Sequence, residues 1–122
     1  MLMSFIRFVF LFVVSSAIPV LGWAATDLTQ EEAIAYVKGK SRSAKHTEYS
    51  GSLGLDFRAS GTLYGTVEGR SDNGSWEVKD AKLCLKWRNR TYDGCGALQR
   101  IEGNQIQHLW PDGRVHFIAP AD

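Results

Sequence analysis

Residues 82–96 read KLCLKWRNRTYDGCG and contain both cysteines of the 122-residue chain, Cys84 and Cys95. Apolar and charged side chains alternate along KLCLKW, which is typical of a strand with one buried face. The connection that follows is centred between Asn89 and Arg90, and a hairpin with this centre places Cys84 directly opposite Cys95. Opposed side chains of antiparallel strands are close enough for a disulfide bond. The stretch therefore predicts a β-hairpin with a disulfide bond across it.

The same register pairs two leucines with two glycines, Leu83 with Gly96 and Leu85 with Gly94. We expect these glycines to leave room for Trp87 on the buried face. A disulfide that closes a loop of about a dozen residues adds about 3 kcal/mol of stability in the loop-entropy model. A redox motif would have its cysteines two residues apart near a helix start. A structural zinc site would need more Cys or His ligands at close spacing. A structural disulfide is therefore favoured over metal or redox use.

Short alternating segments on both sides of this hairpin predict about seven strands. They are LGLDFR, TLYGTVEG, SWEVK, KLCLKW, CGALQRI, QIQHLW and VHFIA. Turn signals separate them, the strongest being Asn73-Gly74. Every connection is short, so strands adjacent in sequence should pair as antiparallel neighbours, and a meander of this length hides its edges by curling. The predicted fold is mainly β, either a small up-and-down barrel or a strongly curved sheet.

One short helix is predicted before these strands, within LTQEEAIAYVKGK. Thr29 and Glu32 have the spacing of a capping box, and Gly39 is a natural stop. The face formed by Ala33, Ile34 and Val37 should pack over the end of the sheet. Four basic residues then precede any acid: Lys38, Lys40, Arg42 and Lys45. They form either an anion-binding strip or a solvated connection, and the connection is favoured. The predicted organisation is a helix with a basic linker over 25–45 and an antiparallel β domain over 46–122.

Residues 1–24 have the pattern of a cleaved export signal. A short basic start is followed by an apolar run and a small-x-small end at Gly22 to Ala24. The alternative, an uncleaved anchor, is disfavoured because the apolar run is shorter than the about 20 residues that span a bilayer and contains Pro19. We therefore expect a bacterial protein exported to the periplasm or secreted, with no stable membrane insertion after cleavage.

The charge balance argues against a nucleic-acid partner. The chain has 14 Lys and Arg against 13 Asp and Glu, and removal of the predicted signal takes away Arg7 and no acid, which leaves 13 of each. A balanced domain does not have the basic excess that nucleic-acid binding needs. The sequence shows no nucleophile-base grouping and no phosphate loop, so we predict no enzymatic activity and no cofactor.

The stretch HLWPDGRVH, residues 108–116, carries the candidate metal ligands. Its Pro-Asp-Gly segment predicts a three-residue turn that pairs Trp110 with Arg114, and hence His108 with His116. Two imidazoles that face each other could share a zinc or copper ion. Two ordinary half-exposed histidines are the favoured alternative. Neighbouring apolar residues compete for the core face, so we expect a β-bulge here.

Several motifs together resemble a group of small exported bacterial proteins of unknown function. The helix ends in Gly39-Lys40, the strand NGSWEV carries Gly74 and Trp76 as a G-x-W motif, and KLCLKW is followed by the second cysteine, Cys95. The resemblance implies an exported β domain with a disulfide bond and implies no catalytic residues.

These features predict an exported cell-envelope binding or interaction module without catalytic activity. The loop held by the disulfide bond would contact an envelope protein through Arg88, Arg90 and Tyr92. A narrower form of this prediction is an inhibitor of an exported hydrolase. The alternative is a small-molecule or metal carrier that uses the His108/His116 pair or a barrel cavity. Such a cavity would be lined by aromatic residues that more often fill a small barrel: Phe57, Tyr64, Trp76, Trp87 and Trp110.

Overall fold

A computed structural model of the chain describes residues 25–47, 51–90 and 93–122. The predicted signal peptide and Tyr92 of the predicted contact loop lie outside the described residues. The described elements are β1 (Thr26–Asp27), α1 (Gln30–Val37), β2 (Lys40–His46), β3 (Ser52–Phe57), β4 (Thr62–Val67), β5 (Arg70–Lys79), β6 (Lys82–Trp87), β7 (Gly94–Ile101), β8 (Gln105–Leu109) and β9 (Val115–Pro120).

Strands β2 to β9 form a closed antiparallel barrel of eight strands in the described part of the chain. Each strand pairs with the next one in sequence, and β9 returns to pair with β2 at Lys45 and His46. The two-residue β1 lies outside this circuit and pairs with β7. The predicted small up-and-down barrel is therefore confirmed, with about one strand more in the circuit than the sequence predicts.

The additional strand is β2, which the sequence predicts as a solvated basic connection. Of its seven residues only Ala44 is buried, so the strand has no apolar alternation to reveal it. Its backbone pairs with β3 along its length. The guanidinium of Arg42 donates two hydrogen bonds to the backbone oxygen of Tyr36, at 2.8 and 3.0 Å, and lies 3.9 Å from the centroid of the Tyr36 ring. Arg42 thus belongs to the packing of helix α1 and not to a basic strip.

Apolar side chains from the barrel strands fill the interior, as predicted from the alternating segments. The fully or nearly fully buried side chains include Leu53, Leu55, Phe57, Leu63, Leu83, Leu85, Leu98, Ile106 and Phe117. Among the aromatic residues considered as cavity linings, Trp87 and Trp110 are buried with Phe57, and Trp76 packs half-buried against the core. Tyr64 does not contribute to the interior, because it points outward and is 46% exposed.

Helix α1 packs across one end of the barrel, which we call the helix end. Both hydrogen bonds of the predicted capping box are present between Thr29 and Glu32. The buried face consists of Ala33, Tyr36 and Val37, whereas Ile34, predicted on this face, is only half-buried. Tyr36 also donates its hydroxyl proton to the backbone oxygen of Pro120 at 2.9 Å, so the helix is joined to β9.

No helix in residues 25–47, 51–90 or 93–122 has the length and apolar character that a membrane crossing requires. The helix that the structure describes there is eight residues long, against the about 20 that span a bilayer.

The Asn73-Gly74 pair lies inside β5 and not in the predicted turn. The turn between β4 and β5 is formed by Glu68 and Gly69, whose φ angles are 50° and 76°. Asn73 pairs with Tyr64 of β4, and Gly74 approaches β6 so closely that a Cβ atom there would overlap the backbone oxygen of Lys86. Gly74 is thus required by the contact between two strands, and the predicted tight turn at this dipeptide is wrong.

The hairpin of β6 and β7 has the predicted register. Cys84 is opposite Cys95 and the two form a disulfide bond. The predicted use of the glycines on β7 is wrong. A Cβ on Gly96 would overlap the backbone oxygen of Leu109, so this glycine makes room for β8. The ring of Trp87 lies instead against Gly65 of β4.

Candidate functional site

The end of the barrel opposite α1 collects the candidate residues, and we call it the histidine end. A small internal space there is lined by His46, Leu53, Val67, Trp87, Arg90, Trp110 and His116. Its volume is about 10 Å³, which is at most the space of one water molecule. The described residues at this point therefore leave no room for a small-molecule ligand inside the barrel.

His108 and His116 meet in this buried region. Their Nδ1 atoms are 2.9 Å apart, and the two residues are 0% and 3% exposed. The predicted turn is present, since the Trp110 amide donates to the backbone oxygen of Arg114 at 2.7 Å. The predicted direct pairing of the histidines is displaced by one residue, because His108 pairs with Phe117 and a bulge follows at Leu109. The predicted bulge directs both histidines toward the interior.

Hydrogen bonding specifies how the two imidazoles share their protons. Nε2 of His108 is 3.1 Å from the backbone oxygen of Leu83, so Nε2 carries a proton and donates it. Nδ1 of the neutral His108 ring is then an acceptor, and Nδ1 of His116 donates to it. The His116 ring also stacks on Trp110, with ring centroids 3.8 Å apart. The Leu83 carbonyl thus orients the ring of His108, and the Trp110 indole orients the ring of His116.

Burial keeps both rings neutral. It lowers the pKa of His108 to about 4. Hydrogen bonds with the backbone of Leu83 and Gly96 raise this pKa and so offset part of the effect of burial. Burial also lowers the pKa of His116, and the neighbouring His108 and His46 lower it further because a second positive charge would be repelled.

The distance between the imidazoles fits a hydrogen bond better than a shared metal ion. Two nitrogen ligands of one tetrahedral zinc lie about 3.3 Å apart, given Zn–N bonds of about 2.0 to 2.1 Å. The observed Nδ1 to Nδ1 distance is shorter, at 2.9 Å. In the described ranges, no group of three or more His, Cys, Asp or Glu side chains is arranged to hold a metal ion. The metal role of His108 and His116 stays a prediction.

His46 is the remaining histidine of the chain, and the sequence does not predict its position in the fold. Its ring lies 5.1 Å from that of His116, in an edge-to-face arrangement. His46 is the last residue of β2, so its position follows only once this strand is recognised. Alternating apolar residues before His46 would have predicted a strand that ends at this histidine, but β2 lacks that alternation.

The loop between β6 and β7 leaves the barrel at the same end and contains Arg88 and Arg90. The buried carboxylate of Asp72 holds it by accepting hydrogen bonds from Asn89, at 3.3 Å from the backbone amide and 3.1 Å from the side-chain amide. The guanidinium of Arg90 is 3.9 Å from the same carboxylate. Asp72 is 8% exposed. Asp72 lies in β5 and anchors a loop 17 positions away.

A second carboxylate closes this loop. Asp93 accepts a hydrogen bond from the backbone amide of Trp87 at 2.9 Å, and the disulfide bond joins the strands directly beyond it. Arg88 is exposed, and the side chain of Arg90 is 27% exposed. Both predicted contact arginines therefore stand on a loop fixed at Trp87, Asn89 and Asp93, beside the histidine end.

No protein-family profile and no curated protein sequence matches this chain. The resemblance to small exported bacterial proteins accordingly stays a prediction.

Proposed function

We propose that this chain is an exported binding module that contacts a protein of the cell envelope through residues 88–93. The observation that carries the proposal is the buried carboxylate of Asp72, which holds Asn89 next to the exposed Arg88. A buried acid that hydrogen-bonds Asn89 orders this part of the loop, residues 88–90, before any partner arrives. A loop that is already ordered loses little conformational entropy on binding.

The chemistry of the loop favours a protein partner with an acidic surface. Arginine is enriched at the centres of protein interfaces because its planar guanidinium pairs with carboxylates through two hydrogen bonds. Arg88 is exposed, and Arg90 is close enough to Asp72 to be held while part of its surface remains open. An inhibitor that inserts this loop into the cleft of an exported hydrolase is the narrower form of the proposal.

Export is supported by the disulfide bond together with the pattern of residues 1–24. Disulfide bonds persist in oxidising compartments such as the periplasm or the exterior. The Cys84–Cys95 bond lies directly beside the loop, so in such a compartment it would also stiffen the contact surface. We place the function outside the cytoplasm on these two grounds.

The test is capture of the partner from the exported fraction of the producing cells. We expect the unmodified protein to retain one protein reproducibly, and the Arg88→Ala/Arg90→Ala variant to bind it at least about tenfold more weakly in a titration. The matched control is Lys79→Ala/Arg100→Ala, which removes two exposed charges at the helix end.

Equal affinity of the loop variant and the unmodified protein would rule out the loop as the contact. Loss of affinity in the control variant as well would show that net charge, and not the loop, governs the interaction. Circular dichroism spectra of all three proteins have to agree, so that only folded proteins are compared.

A further inference from the structure

A second surface lies on the side of the barrel, on the outer face of β2, β3 and β4. An open groove of about 370 Å³ is formed there by Ser41, Ser43, Gly54, Asp56, Tyr64 and Thr66. We call it the Tyr64 groove. Its volume falls within the range of small-ligand sites, which is about 300 to 1,000 Å³. We propose that the Tyr64 groove binds a neutral oligosaccharide.

Tyr64 supplies the stacking surface. It is 46% exposed and is the exposed large hydrophobic side chain that stands out in the described part of the chain. A protein interface usually has an apolar centre of several residues, whereas the other residues of this groove, apart from the buried Leu55, carry hydroxyl groups, a carboxylate and a guanidinium, or are glycine. A pyranose ring presents one face of C–H groups that packs on an aromatic ring and an edge of hydroxyl groups. A single aromatic ring among polar side chains matches that chemistry.

The hydrogen-bonding groups beside the ring are held in place. Asp56 pairs with Tyr64 across β3 and β4, so its carboxylate lies next to the ring. This carboxylate accepts hydrogen bonds from Nε of Arg58 at 2.9 Å and from the hydroxyl of Ser41 at 3.4 Å. The guanidinium of Arg58 also lies 5.2 Å from the centroid of the Tyr64 ring. A carboxylate has about four acceptor positions, so Asp56 can accept further bonds from sugar hydroxyls.

The charge of the groove favours a neutral ligand. Asp56 and Arg58 form an ion pair at 2.9 Å and so offset each other. Arg42 also borders the groove and keeps its positive charge, but its Nε and one terminal N–H group donate to the Tyr36 carbonyl and its guanidinium stacks on the Tyr36 ring. A site for phosphate or sulfate groups needs cations whose N–H donors face the ligand. The remaining residues are uncharged, and uncharged hydroxyl groups are the matching partners.

Small side chains make the surface beside the ring level. Across the strands, Ser43 pairs with Gly54, Gly54 with Thr66, and Thr66 with Ser71. No long side chain stands in this row, so a flat oligosaccharide can lie along it while one sugar stacks on Tyr64. The groove uses none of the residues of the 88–93 loop, and its test is therefore independent of the function proposed above.

The experiment is a titration of the ¹⁵N-labelled protein with short neutral oligomers of N-acetylglucosamine and of glucose, followed by NMR. We expect saturable shifts of amide signals in β2, β3 and β4 with at least one of the two series. The Tyr64→Phe variant keeps the stacking ring and should bind within about threefold of the unmodified protein. The Tyr64→Ala variant should bind at least about tenfold more weakly. Asp56→Asn should also weaken binding, because the amide has one acceptor oxygen in place of two for Arg58, Ser41 and the sugar hydroxyls.

The control is Glu77→Ala, which removes an exposed side chain on β5 outside the groove and should leave binding unchanged. Because Tyr64 is exposed, its variants should keep the dispersed spectrum of a folded barrel. The proposal is overturned if neither series gives saturable shifts, if the shifts lie on another face, or if Tyr64→Ala binds as well as the unmodified protein. Binding of sulfated oligosaccharides alone would overturn the assignment to a neutral ligand.

Discussion

His108 and His116 show how a polar pair is accommodated inside a small barrel. Each ring is buried, and each facing nitrogen has a partner at hydrogen-bond distance. A buried imidazolium would cost far more than a buried imidazole, since its charge loses hydration. The pair therefore ties the histidine end together only while both rings are neutral.

This arrangement predicts a loss of stability in mild acid. The pKa of each ring is lowered in the folded state, so an unfolded chain, with a histidine pKa of about 6.5, binds protons that the folded chain does not. The contribution of the neutral pair to the free energy of unfolding is fully present above that value. It falls as the pH decreases toward the folded pKa of about 4 for His108. Each such histidine contributes up to about 1.4 kcal/mol per pH unit in this window. Urea unfolding at steps between pH 7.5 and 5 measures the slope.

The variant His108→Gln/His116→Asn serves as the comparison, because amide groups can replace the hydrogen bonds but do not titrate. We expect its free energy of unfolding to change much less over the same steps. His46 and Arg90 face the pair from β2 and from the loop, and both are unchanged in the variant. Identical slopes in the two proteins would show that the buried histidines do not govern the pH dependence.

At the scale of the element, two glycines of the strands differ in what surrounds them. Gly96 of β7 lies against the backbone of Leu109, and a Cβ there would overlap the carbonyl oxygen. Gly54 of β3 has only the Cβ of Thr66 within range, at 4.0 Å. Neither has a positive φ angle, so the comparison isolates packing from backbone strain.

We expect Gly96→Ala to destabilise the protein by about 2 to 4 kcal/mol, because β7 and β8 have to move apart. Gly54→Ala should change stability by no more than about 1 kcal/mol, and a small gain is consistent with the restricted unfolded chain. Thermal or urea unfolding of the two variants decides the matter. Comparable losses of stability in the two variants would contradict this explanation. They would mean that replacing any strand glycine destabilises the barrel, whether or not another strand lies close to it.

The disulfide hairpin could be predicted from the sequence because its register depends on residues next to one another in the chain. The connection between Trp87 and Gly94 is short, and its centre determines which residues face each other. The prediction of a turn at Asn73-Gly74 is wrong for the opposite reason. Its glycine is needed where β5 meets Lys86 of β6, and a contact between strands leaves no local pattern.

Strand β2 was missed because its stabilising contacts are polar. Arg42 stacks on Tyr36 of the helix, and backbone pairing with β3 supplies the rest. A basic, serine-rich segment is predicted as a loop when only apolar periodicity is considered. Because the sequence does not predict β2, it also does not predict that His46 lies at the histidine end.

For the whole molecule, the two ends of the barrel differ in the residues that close them. Helix α1 covers one end, and at the other end the side chains of His46, His116, Trp87 and Trp110 surround a small space beside Arg90. The sequence predicts the arginines of this loop as contact residues, but not the role of Asp72, which holds Asn89 and lies 3.9 Å from Arg90. Asp72 and Asn89 are 17 positions apart, and only the pairing of β5 with β6 brings them together.

The most direct test of the proposed contact is the hydrogen exchange of backbone amides in the free protein and in its complex with the captured partner. We predict that binding slows exchange at residues 88–90 and 93, and at residues 112–114 of the neighbouring turn. Amides on the outer face of β3 and β4 should keep their free rates. Protection confined to the helix end or to the Tyr64 groove, with unchanged rates at 88–90, would contradict the account.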